Sequence, residues 1–117
     1  MTTPADELRT AATRLRERAN AATPGPWSAD SSIPYGHRVG SSDETNWVAW
    51  TGEHGEDGSE ADARFIAAMH PGVGAALADW LDIAVMYAEK WPPDLQTNSP
   101  FRQGALVVAR AINGGAQ

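Results

Sequence analysis

Apolar positions recur with a helical period over three stretches of the chain and alternate with polar ones over a fourth. Between Ser59 and Lys90, Phe65, Ile66 and Met69 share one helical face. After an interruption Val73, Leu77, Trp80, Leu81, Ala84 and Ala88 form a second apolar stripe. The interruption is His70-Pro71-Gly72. Proline disfavours helical geometry in the residue before it, yet fits the first turn of a new helix, where its missing N–H is not needed. Two helices broken within two residues of Pro71 are therefore predicted. Ser59, with Asp62 three positions on, predicts a capping box at the start of the first.

Upstream, Thr3-Pro4 predicts a capped helix start with proline at the first helical position. Leu8, Ala11, Ala12, Leu15, Ala19 and Ala22 make its narrow apolar stripe. Asp6 and Glu7 lie at the positive end of the helix dipole, and Arg9, Arg14, Arg16 and Arg18 flank the stripe as solvated, ion-pairing side chains. Downstream, Phe101, Ala105, Val108, Ala109 and Ile112 predict a last helix from about Pro100 to Asn113. Ser99 is its expected cap, and Gly114-Gly115 stops it after the proline-rich loop 91–100.

The middle of the chain reads differently. Pro24 and Pro26 end the first helix, and segments 27–30, 37–41 and 46–51 are short and separated by turn-rich residues at 31–36 and 42–45. They predict an antiparallel meander of two or three strands. Strict alternation puts Trp47, Ala49 and Thr51 on one side and Val48 and Trp50 on the other, so one tryptophan is expected to stay partly exposed. Trp27, aimed by the rigid Pro24-Gly25-Pro26 segment, is expected to be buried. The predicted fold is α+β in one domain, 1–117: a helix, a short meander, two hinged helices and a C-terminal helix.

Composition narrows the function classes. The chain has 117 residues, of which 42% are hydrophobic and 21% charged, ordinary values for a single soluble domain. No apolar run approaches the roughly 18 residues of a membrane span, and the N-terminus lacks the regions of a signal peptide. The absence of cysteine excludes disulfides, thiol catalysis and thiolate metal sites. A cytoplasmic protein without membrane association is expected. The net charge of −6 is concentrated: residues 43–62 hold Asp43, Glu44, Glu53, Glu56, Asp57, Glu60 and Asp62 and no Lys or Arg. Such a field repels phosphate backbones, so general binding to duplex nucleic acid is not expected.

Two motifs carry a resemblance. Leu8, Leu15-Arg16 and Arg18-Ala19 precede residues 22–27 (ATPGPW), and residues 62–68 (DARFIAA) open an apolar helix. In this order they resemble small actinobacterial phage and prophage proteins similar to the Ead-type early proteins of lambdoid phages, over roughly residues 5–90. The resemblance implies an accessory role, with no reaction and no catalytic residue to carry over. It marks Pro24, Gly25, Pro26, Trp27, Asp62, Phe65 and Ile66 as fold determinants. Members of that group continue the long helix with charged heptads. Here the chain turns after Met86–Trp91 into prolines and a further helix, so a shared partner surface is not implied.

Candidate chemistry is sparse. His37, His54 and His70, with Glu56 or Asp57, have the donor types of a zinc site but match no ligand spacing, and read more simply as surface histidines in or beside loops. The acids of the Gly52–Gly58 loop do not alternate as a calcium loop requires, so a mobile solvated loop is the plainer reading. Gly36 and Gly40 lack the Lys and the helix of a phosphate loop, and no serine lies in a nucleophile elbow. No catalytic residue, metal or cofactor is singled out. The sequence instead supports a non-enzymatic phage or prophage accessory protein that binds a host or phage protein, basic by charge complementarity. Glu53, Glu56, Asp57, Trp47 and Trp50 would form its contact. The alternative is a small-ligand binder with Tyr35, His37, Arg38 and Trp50 around a nucleotide. Against that stands the simpler role of such rings as core. Self-association stays open.

Overall fold

A computed structural model describes residues 2–41, 47–90 and 100–115 of the chain. The expected turn at 42–45 with Asp43 and Glu44, the loop from 91 and the Ser99 cap lie outside them. The elements are α1 Pro4–Ala21, β1 Trp27–Asp30, β2 Gly36–Ser41, β3 Trp47–Glu53, α2 Ser59–Ala68, α3 Pro71–Lys90 and α4 Pro100–Gly115. This is the α+β order that the periodicity predicts. The elements separate into two compact units, one comprising Met1–Arg18 and Ala75–Gln117, the other Ala19–Gly74.

In the first unit α1, α3 and α4 pack through small residues. Leu8, Ala11 and Ala12 meet Leu81, Ala84 and Val85 of α3 and Ala105, Leu106 and Ala109 of α4, with Trp80, Ala88, Val108 and Ile112 at the edge of the cluster. Alanine at most of these positions lets helix axes approach closely, while Leu8 and Leu81 fill the centre. Thr3 and Asp6 cap α1 reciprocally: the Asp6 N–H donates to Thr3 Oγ1 at 3.1 Å and the Thr3 N–H to Asp6 Oδ2 at 3.3 Å. The arginines take ion-pair roles on the flanks. Arg9 meets Asp6 and Glu89, Arg16 forks between Asp79 and Asp82 at 2.9 and 2.8 Å, and Arg110 reaches Glu7 at 3.1 Å.

In the second unit the strands form an antiparallel sheet in the order β1-β2-β3, with α2 on one face. Val39, Ala63 and Ala67 are its buried centre, joined by Trp27, Val48, Ala49 and Ile66. Trp27 is half-buried, not enclosed, and its Nε1–H donates to the Thr23 carbonyl at 2.9 Å. The face of α2 is rotated from the expected one. Ala63 and Ala67 meet the sheet, whereas Phe65 and Met69 are exposed, because small side chains one turn apart allow the helix to lie close.

The break at Pro71 is as predicted, with α2 ending at Ala68 and α3 starting at Pro71. His70 caps the new helix: the Gly72 N–H donates to its Nδ1 at 3.1 Å and the Val73 N–H to its carbonyl at 2.9 Å. The expected capping box at Ser59 and Asp62 is not formed. The cap of α2 is Gly58, at φ 85°, with no side chain bonded to the helix end. The left-handed turn at Gly58 carries Ser59 into the first helical position. Its hydroxyl, directed back into the loop, lies 3.1 Å from the Glu53 carbonyl and 2.9 Å from that of Glu56.

Candidate functional site

The sheet face turned away from α2 carries exposed aromatic side chains beside a charged one. Its layout follows from two bulges in β3. Arg38 pairs with Trp50, Val39 with Ala49 and Gly40 with Trp47, so Thr51 and Val48 are each extra residues in the ladder. Arg38 and Gly40 lie two apart on β2 and share a face; their partners Trp50 and Trp47 therefore share it too. Trp47 is 55% exposed and Trp50 51%. Strict alternation had separated them. The bulge at Val48 brings them together and turns Val48 and Ala49 both toward α2. The Thr51 hydroxyl anchors the other bulge, 2.7 Å from the Ser59 carbonyl.

Arg38 organises this face. Its Nε donates to Asp30 Oδ2 at 2.9 Å across the β1–β2 pair, and its guanidinium lies over Trp47, 5.0 Å from the ring centroid. Gly40, opposite Trp47, has no side chain to compete for that space. The Asp30 carboxyl is held down at about 2, first by the hydroxyl and N–H of Ser32 and then by Arg38.

Beside Trp50 runs an open groove of about 610 Å³ lined by Trp50, Glu53, His54, Gly55 and Glu56. The loop is solvated, as expected, and its backbone carries turn hydrogen bonds. The Glu56 N–H donates to the Glu53 carbonyl at 3.1 Å, the Ser59 N–H to the Glu56 carbonyl at 3.2 Å, and the Glu53 N–H to Glu56 Oε2 at 2.9 Å. The His54 ring bonds the Ile33 carbonyl through Nε2 at 2.8 Å and stands edge-on to His37, with centroids 4.7 Å apart.

Of the proposed partner-binding residues, Trp47, Trp50, Glu53, Glu56 and Asp57 are all exposed, and Trp50, Glu53 and Glu56 line one groove. Of the set suggested for a nucleotide, Arg38 and Trp50 stand opposite each other on the outer face, but His37 and Tyr35 do not join them. Arg38 lies on the outer face, while His37, one position earlier, is 6% exposed and bonded to Ser31 through Nδ1 at 2.7 Å. His37 is thus no surface histidine. Tyr35, 73% exposed, lies in the β1–β2 turn. Asp30 was missed, since its role depends on strand register. Among the described residues no group of three or more histidines and acids is placed to hold a metal ion, and no helix is long and apolar enough to cross a membrane. No protein family, curated protein or solved structure matches this chain.

Proposed function

We propose that this chain is a non-enzymatic accessory protein, of the phage or prophage kind its motifs resemble, that binds a basic host or phage protein through the outer face of its sheet. The observation that supports this reading is the placing of Trp47 and Trp50 on one exposed face, with Glu53 and Glu56 lining the groove beside Trp50. Two half-exposed indoles on a fastened scaffold supply rigid apolar contact area, and the acids at the rim attract a basic partner and speed encounter. A nucleotide would bring its phosphates against Glu53 and Glu56, so no observation favours the small-ligand reading.

The test is site-directed photo-crosslinking from position 47, with position 107 on α4 as the control, followed by affinity measurements on the purified partner. Trp47→Ala with Trp50→Ala is expected to weaken binding by at least about tenfold. Neutralising Glu53, Glu56 and Asp57 together is expected to slow association and flatten its salt dependence. Equal affinity for the parent and the double tryptophan variant would overturn the reading.

A further inference from the structure

We infer that the groove beside Trp50 takes the guanidinium of an arginine presented by the protein partner; the inference rests on the sheet-face reading above and names the chemistry recognised there. The protein itself shows the arrangement in occupied form. On the same face, Trp47 carries the Arg38 guanidinium on its ring while Asp30 neutralises it from the side. Trp50 repeats the aromatic part, half-exposed, with Glu53 and Glu56 among the residues that line the same groove. There the cation is missing. Among the described residues no basic side chain pairs with Glu53, Glu56 or Asp57, and none lies on the Trp50 ring. The acids of α1 and α3 that face arginines are by contrast paired.

Charge and shape select arginine over other cations. A guanidinium is planar, stacks on an indole and gives up its hydration readily, whereas a lysine ammonium is compact and strongly hydrated. One oxygen of Glu56 already accepts the Glu53 N–H, which holds that carboxylate in place and leaves its other oxygen to meet a donor. Among the described residues no ion pair engages the Glu53 carboxylate. The groove is open to solvent, so an arginine side chain of a partner can enter it from outside.

The experiment is a nuclear magnetic resonance titration of the full chain with a blocked Gly-Ser-Arg-Ser-Gly peptide, and with the same peptide carrying lysine or citrulline in place of arginine. Citrulline keeps the size and plane of the side chain and removes its charge. The expected result is a saturable shift of the Trp50 indole N–H with the arginine peptide, in the millimolar range for so small a contact. The lysine peptide binds more weakly, and the citrulline peptide weaker by about tenfold. Glu53→Gln with Glu56→Gln reduces the arginine peptide to the citrulline level while the dispersed spectrum of the folded chain persists. Glu17→Gln, an exposed acid on α1, leaves the titration unchanged. Equal shifts from arginine and citrulline, or a Trp50 signal unmoved by arginine, overturn the inference. A partner that requires Trp47 and Trp50 but binds equally well with its arginines replaced removes this assignment and leaves the sheet-face reading standing. A peptide titration as expected, with a partner indifferent to both tryptophans, keeps the arginine site and removes the wider reading.

Discussion

Gly36 and Gly52 meet backbone to backbone where β2 pairs with β3: a Cβ on Gly36 would stand 2.1 Å from the Gly52 carbonyl oxygen. Gly52 is constrained as well. It sits at φ 147°, and a Cβ there would fall 2.5 Å from Glu56 Oε2 and 2.8 Å from the Ser59 Cβ. No flexible side chain can yield at Gly36, because the obstacle is main chain. Gly36→Ala is therefore expected to lower stability by about 1–3 kcal/mol through forced strand separation, read from denaturant midpoints. Gly104 on α4, where nothing lies within 4 Å of an added Cβ, is the opposite case. Gly104→Ala is expected to raise stability by about 0.5–1 kcal/mol through helix propensity. A Gly36→Ala midpoint equal to that of the parent would mean that the strands do not approach as described.

Ser59 tests how the groove is fastened. Its hydroxyl is buried at the start of α2 and serves the carbonyls of Glu53 and Glu56. Ser59→Ala leaves the Glu53 carbonyl with one donor fewer and is expected to cost about 1–2 kcal/mol. Amide exchange at Glu53, Glu56 and Ser59 is expected to quicken more than in the α4 interior. Unchanged exchange there would show that the loop is held without the hydroxyl.

Asp30 makes one part of the stability pH-dependent. Hydrogen bonds from Ser32, then from Arg38, lower its carboxyl from 3.8 to about 2 in the folded protein. A group whose folded value is depressed adds stability that is complete above its unfolded value and disappears as pH falls through its folded value. The gap between the parent and Asp30→Asn is therefore expected to be constant near neutrality and to close between pH 3.8 and about 2. Carboxyl chemical shifts follow the titration directly. Ser32→Ala is expected to raise the midpoint, and a midpoint at the ordinary value in the parent would remove the effect.

Leu81 and Trp50 separate core from surface. Leu81 is fully buried among α1, α3 and α4, and Leu81→Ala is expected to cost about 2–5 kcal/mol. Trp50, half-exposed on the sheet, is expected to lose less than about 1 kcal/mol on replacement by alanine, despite its larger side chain. Thermal unfolding of the two variants checks the ranking. A Trp50→Ala variant as unstable as Leu81→Ala would place the indole in the core and take it off the binding face.

The amino-acid sequence by itself determined the elements, because each is announced by local chemistry. Proline positions at 4, 24, 26 and 71 and the helical spacing of Leu8, Leu81 and Ala105 act over a few residues, and their outcomes match the structure. Three things were decided only by the tertiary structure. The bulges at Val48 and Thr51 depend on how α2 packs and on the Thr51 bond to Ser59, so alternation alone put Trp47 and Trp50 on opposite faces. The face that α2 buries was settled by the close fit of Ala63 and Ala67 on the sheet, against the larger Phe65 and Met69 that periodicity favoured. The pairing of Arg38 with Asp30 rests on strand register, a property of two segments at once that neither of them encodes alone.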